Sequence, residues 1–203
     1  MDDLTSFLSQ LQALIEQERF EDIESDTIEL KPCPSSGQDW SERHKSVNAF
    51  LNTRGGLLIL GIKEQGKGSD RKYVVSGYDP AAESHLSQMR GIFTDAEKRP
   101  LDLTEYLPPT EMRSFMGNRI AVQRVDALPA QKRFVFYKSQ AYKRQLTGDL
   151  KINQAELDRQ VEFLEEIAQA RELEPCSASN WMGILRYSKT PSRSPRSVVW
   201  MPT

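Results

Sequence analysis

Residues 57–62, Leu-Leu-Ile-Leu-Gly-Ile, carry no polar side chain and follow directly on Gly55-Gly56. A strand with one wet face alternates apolar and polar residues. A run without alternation reads as a strand covered on both faces. Such a strand demands a sheet with a packed layer on each side, and a chain of 203 residues can supply helices for both. The double glycine suits the end of a preceding helix, where a left-handed backbone is often required.

The rest of the chain fits that demand. Leu4, Phe7, Leu8, Leu11, Leu14 and Ile15 fall on one stripe of a helix predicted over 4–20. Residues 27–32 read as a strand with Ile28 and Leu30 facing in, so Glu29 and Lys31 share the other face. A helix over 40–53 turns Trp40, Val47, Phe50 and Leu51 inward. Tyr73 to Val75 reads as the returning strand of a hairpin after a polar turn at 64–70, and a helix is expected over 80–98, broken before Pro100. Strands are expected over 118–125, 133–137 and 140–144. A final helix over 153–173 has Leu157, Val161, Leu164, Ile167 and Ala168 as its stripe. The expected fold class is α+β, or mixed α/β. An N-terminal helix over 1–20 packs on a domain over 21–150, followed by a C-terminal helix over 151–174.

The last 29 residues, 175–203, contain no Asp or Glu and carry Arg186, Lys189, Arg193 and Arg196, a basic, proline-broken composition that predicts a flexible tail. An apolar fraction of 38% supports a core, while a net charge of −2 means that a binding face for a polyanion must be a local basic patch. Cys33 and Cys176 are far apart and lack metal-type spacing, as expected of a reducing cytoplasm. The N-terminus lacks a signal-peptide pattern and no apolar run approaches the roughly 20 residues of a membrane span. No membrane partner is expected.

Three carboxylates stand where chemistry gathers. Glu24 and Glu29 flank a turn that brings both to one strand edge, and Glu64 follows the apolar run. Converging, they would make an oxygen-rich site for Mg²⁺ or Mn²⁺, able to polarise a phosphoryl group, with Lys31 neutralising a phosphate. The plainer reading is an exposed Glu29–Lys31 ion pair, worth roughly 0–1 kcal/mol, and a solvated Glu64.

Two motifs carry a resemblance. Glu24-Ser25 with Ile28-Glu29-Leu30-Lys31, then Ala49-Phe50-Leu51-Asn52-Thr53 with Gly55-Gly56 and Leu58-Ile59-Leu60-Gly61-Ile62, arrive in order. Together they resemble the signature of the Schlafen/AlbA-type (AlbA_2) family of nucleic-acid-binding domains. Pro108-Pro109, the strand ending at Val125 and Tyr142-Lys143-Arg144 resemble its later landmarks. The resemblance implies nucleic-acid binding, RNA or DNA. In nuclease members it implies a metal-dependent endoribonuclease that cuts structured RNA such as transfer RNA. The catalytic and metal-holding trio then falls on Glu24, Glu29 and Glu64, with Lys31 beside it. Where the family usually has Asp-Asp after the strand, this chain has Lys63-Glu64. Replacing Glu24 or Glu29 is expected to abolish cleavage with folding intact. A noncatalytic DNA-binding regulator, or a subunit of a larger assembly, is the alternative, with the terminal helices available to a second copy or another protein.

Candidates for phosphate contact are Lys45, Arg54, Lys63, Lys67, Arg71, Lys72, Lys143 and Arg144, beside Lys31. The stretch from Gly61 to Ser69 nearly spells a P-loop, which keeps ATP binding as a weaker reading. A hairpin turn explains it better, because a strand and not a helix follows. His44 and His85, the two histidines, have no zinc spacing, and no G-x-S-x-G elbow occurs.

Overall fold

A computed structural model describes residues 2–35, 39–82, 91–130, 132, 134–146 and 148–173. The chain separates into two compact units, Met1–Val161 and Glu162–Thr203. Within the first, helix α1 (Asp2–Glu16) leads to strand β1 (Ile28–Lys31), helix α2 (Ser41–Leu51) and strand β2 (Gly56–Leu60). A hairpin follows, β3 (Ile62–Gln65) with β4 (Lys72–Val75), then β5 (Glu111–Phe115), β6 (Asn118–Val125), β7 (Tyr142–Gln145) and β8 (Gly148–Lys151). Helix α3 (Gln154–Leu173) crosses the boundary between the units.

The main sheet runs β1-β2-β6-β5, with β1 parallel to β2 and the other pairs antiparallel. Helix α2 is the crossover that a parallel β1–β2 pair requires. The unbroken apolar character of β2 has the expected cause. Leu58 and Leu60 point to a core shared with Trp40, Val47, Phe50 and Leu51 of the α2 side, while Ile59 points to a second core with Phe7, Leu11 and Leu14 of α1. Both glycines at the entry to β2 are needed. Gly55 has φ +74°, and a Cβ on Gly56 would lie 2.5 Å from the Phe50 ring and from the Thr27 carbonyl.

Several expectations are corrected. The apolar run is not one strand: Gly61, at φ +109°, turns the chain out of the main sheet, and Ile62 begins the separate β3–β4 sheet. Glu64 therefore lies inside β3, paired with Tyr73, and not in the turn. Helix α1 stops at Glu16 although no glycine follows, because Glu18 takes the left-handed conformation (φ 51°) and Arg19 N–H donates back to the Leu14 carbonyl. The helix expected over 80–98 is a short 3₁₀ turn, Pro80–Ala82, at its start, and residues 92–98 are not helical. Phe93 is fully buried there and the Thr94 backbone exchanges hydrogen bonds with Phe136. The middle of that stretch, with His85, lies outside the described residues, as do the tail over 175–203 and Cys176. Of the strand expected over 133–137, isolated bridges at Phe136 and Tyr137 remain. Strands β5 and β8 were not expected. No described helix is long and apolar enough to cross a membrane.

Candidate functional site

The second motif, Ala49-Phe50-Leu51-Asn52-Thr53, works as a clamp. From α2, Asn48 Oδ1 accepts from the Tyr142 N–H at 2.8 Å and its Nδ2 donates to the Val135 carbonyl. Asn52, just past the helix, accepts from the Val135 N–H and donates to the Val135 and Tyr142 carbonyls. Thr53 Oγ1 accepts from the Arg144 N–H at 2.9 Å. Ser46 Oγ donates to Asp149 Oδ2 at 2.7 Å. Helix side chains thus supply the hydrogen bonds that a neighbouring strand would otherwise give to 135–144, satisfying buried backbone groups.

That clamp sets Arg144. Alternation along β7 turns its guanidinium inward, where it donates to Glu29, to Asp149 at 3.0 Å and to the Ser25 carbonyl at 3.2 Å. Burial opposes its charge, yet the Glu29 and Asp149 carboxylates more than offset this and hold its pKa above the usual value. Glu29 also pairs with Lys31, two residues along the same face of β1. The exposed ion pair expected at Glu29–Lys31 is therefore corrected: Glu29 is 4% exposed because Arg144 covers it. The first and second motifs are coupled through one arginine.

Glu29 borders an open cleft of about 550 Å³ between the end of β1, hairpin β3–β4 and the β7–β8 connection. Asp22, Glu24, Glu29, Lys31, Lys63, Glu64, Arg71 and Arg144 line it. Glu24 Oε1 accepts from the Leu30 N–H at 2.6 Å. Burial pushes the Glu24 carboxyl up to about 7, the Glu29 charge adds to this, the Leu30 N–H and Lys31 oppose it, and Glu64 adds a smaller push. Arg71 donates to Glu64 at 2.5 Å and lies over the Phe20 ring, 3.9 Å from its centroid. With four acids, four bases and Glu24 half-protonated near neutrality, the cleft is close to charge balance.

The structure thus brings together Glu24, Glu29, Glu64, Lys31, Lys63, Arg71 and Arg144, and not the other candidates. Lys67 and Lys72 belong to the same hairpin outside the cleft lining. Lys45 pairs with Glu42 on α2, and Arg54 pairs with Asp26 beside a different pocket. Lys143 points away from Arg144 to Glu156 of α3. Asp149, Asp22 and the Ser25 carbonyl were missed. The Gly61 to Ser69 stretch is strand β3 followed by the hairpin turn, with a 3₁₀ turn at Gly68–Asp70, and strand β4 follows, so no α-helix N-terminus stands there to receive a phosphate.

Carboxylate oxygens suit a hard cation, but each acid already has a donor: Glu24 the Leu30 N–H, Glu29 both Lys31 and Arg144, Glu64 Arg71. Among the described residues no group of three or more His, Cys, Asp or Glu is arranged to hold a metal ion.

A family model described as Schlafen, AlbA_2 matches residues 24–153. No curated protein matches the chain. Among solved structures, the N-terminal domain of a RecG-related protein from Nitrosomonas europaea is similar at 22% identity and a TM-score of 0.48, covering 70% of this chain and 87% of that one. A protein of Corynebacterium diphtheriae is similar at 14% identity and a TM-score of 0.43, covering 79% of this chain and 29% of that one. At these scores neither likeness bears on function.

Proposed function

Because the chain belongs to the Schlafen AlbA_2 family, we propose that it acts on nucleic acid, RNA or DNA, by binding the phosphate backbone in the cleft between β1 and the β3–β4 hairpin. The observation that carries the reading is the meeting of Lys31, Lys63 and Arg71 at one cleft beside the acids of the first motif. Arg71 and Glu64 are each about one-third exposed, and an ion pair so exposed is worth roughly 0–1 kcal/mol. A phosphate can take over Arg71 from Glu64 at small cost. Binding of this kind is salt-dependent and tolerant of sequence.

The test is binding of labelled transfer RNA, duplex DNA and single-stranded DNA in the presence of a chelator. Wild type is expected to bind with affinity that falls as salt rises, and Lys31→Ala/Arg71→Ala to bind at least about tenfold more weakly. Equal binding by the variant, or none by wild type, would overturn the proposal.

The second reading is metal-dependent cleavage of structured RNA, with Glu24, Glu29 and Glu64 as ligands of Mg²⁺ or Mn²⁺. What favours it is the convergence of these acids on one cleft, close enough for the Glu29 and Glu64 charges to raise the Glu24 pKa. It requires Lys31 to release Glu29 and Arg71 to release Glu64. Cleavage of transfer RNA that needs Mg²⁺ or Mn²⁺ and is lost in Glu24→Gln would establish it. Binding without cleavage under all these conditions would rule it out and leave a recognition module.

A further inference from the structure

The cleft is not the end of the basic surface. Strand alternation and register divide the β3–β4 hairpin into two faces. Ile62, Glu64, Tyr73 and Val75 share one, since Ile62 pairs with Val75 and Glu64 with Tyr73. Ile62 and Tyr73 bury that face in the core that also holds Phe7 and Leu11 of α1. Lys63, paired with Val74, and Lys72, paired with Gln65, share the opposite face, and Lys67 stands in the turn beyond them.

Lys63, Lys67 and Lys72 are exposed and make no ion pair among the described residues. That sets them apart from Lys31, Lys45, Arg54, Arg71, Lys143 and Arg144, each held by a carboxylate. Lys63 and Lys72 are diagonal neighbours across the ribbon, about 7–8 Å apart at Cα. Lys63 also lines the cleft. Along the hairpin the three lysines therefore run from the tip, at Lys67, to Lys63 at the cleft.

Resting on the reading above, we infer that the outer face of the β3–β4 hairpin is a binding arm for the sugar-phosphate backbone of a duplex, gripped by Lys63, Lys67 and Lys72, which leads that strand to the cleft. Charge selects a polyanion, since three exposed lysines without an ion pair on one hairpin, two on its outer face and one in its turn, attract counterions near a chain otherwise balanced in charge. The absence of a stacking surface on the ribbon selects a duplex. Single-strand readers stack bases on aromatic side chains, and the one aromatic residue of the hairpin, Tyr73, is 2% exposed and lies on the buried face. A duplex hides its bases and offers phosphates, and a two-stranded ribbon has the width to lie along a groove.

The experiment measures binding of a duplex DNA, a duplex RNA of the same sequence and the matching single strand over a series of salt concentrations. It compares wild type, Lys63→Gln/Lys67→Gln/Lys72→Gln, and a control carrying Lys98→Gln/Arg119→Gln/Lys151→Gln. The control removes the same charge from exposed positions that also lack ion pairs among the described residues. The hairpin variant is expected to lose duplex affinity at least about tenfold, and its slope of log affinity against log salt is expected to fall by about 2–3. The control is expected to keep the wild-type slope to within about one. The inference is overturned if both variants weaken binding alike, or if wild type prefers the single strand. In both cases binding lost in Lys31→Ala/Arg71→Ala would still leave the cleft reading standing. Wild type that binds none of the three would overturn both.

Discussion

Two arginine–carboxylate pairs face the same cleft and are built in opposite ways. Arg144 and Glu29 are 2% and 5% exposed at the side chain, and Asp149, the Ser25 carbonyl and the α2 clamp surround them. Arg71 and Glu64 are 37% and 34% exposed and sit on a hairpin, with the Phe20 ring beneath the guanidinium. In the first pair the low-dielectric setting makes each charge depend on the other. In the second, water and salt screen the attraction, so a phosphate competes on nearly equal terms. The cleft has a fixed wall and an exchangeable one. A motif acid can be essential for folding while its neighbour is free to serve binding.

The contrast breaks most visibly at Glu29. Glu29→Ala leaves Arg144 buried against one remaining carboxylate, and the expected loss of stability is about 3–5 kcal/mol, read by chemical denaturation. Such a loss would run against the expectation that Glu29 can be removed with folding intact. Glu29→Leu/Arg144→Met is expected to recover most of the loss, since a well-packed apolar pair often matches a buried ion pair. A loss below about 1 kcal/mol for Glu29→Ala would mean that the fixed wall is not fixed. Next in size is Asn52→Ala, which strips partners from the Val135 N–H and from the carbonyls of Val135 and Tyr142. It is expected to cost about 1–3 kcal/mol, and hydrogen exchange at Val135 is expected to accelerate with it.

These two effects also mark where the sequence was readable. The unbroken apolar run at 57–62, the double glycine and the inward-facing residues of the helix before it are strong local signals, and the β1–α2–β2 unit follows from them. Strand β5 escaped because its hairpin with β6 turns at Met116-Gly117, both at positive φ (48° and 76°), and methionine is a poor signal for that conformation. Strand β8 escaped for a related reason, since Leu146-Thr147 separates Gln145 from its partner Gly148 and is not a turn pair that sequence announces. With β8 went Asp149, the second carboxylate on Arg144. The burial of Arg144 was likewise invisible. Tyr142-Lys143-Arg144 reads as polar, and only the docking of β7 on Asn48, Asn52 and Thr53 turns one of two adjacent cations inward. The gathering of Glu24, Glu29 and Glu64 near one another was legible from order and resemblance. Their neutralisation by Lys31, Arg144 and Arg71 needed tertiary structure.

Between the two walls lies Glu24, and pH reaches it. Its folded pKa of about 7 stands above the ordinary 4.5, so between those values the folded state binds more protons than the unfolded one. Stability is therefore expected to fall as pH rises from about 4.5 through 7. Partial exposure limits the effect to about 1–2 kcal/mol. Glu24→Gln, which cannot ionise, should flatten that part of the profile. An unchanged profile in the variant would assign the pH dependence elsewhere.

The smallest expected change in stability belongs to the exchangeable wall, and there the comparison is sharpest. Arg71→Gln removes an exposed pair and one ring contact, so unfolding should move by no more than about 1 kcal/mol. The same substitution removes a cation from the path of the phosphate, so binding is expected to weaken for every nucleic acid tested, with the salt slope lower by about one. Glu64→Gln gives the opposite sign. It frees Arg71 from its carboxylate, keeps the fold, and is expected to strengthen binding, because the phosphate no longer has a competitor. If Glu64→Gln weakened binding instead, Glu64 would have to contribute to the ligand directly, and the ion pair with Arg71 would be the resting state of a ligand group and not a screened surface contact.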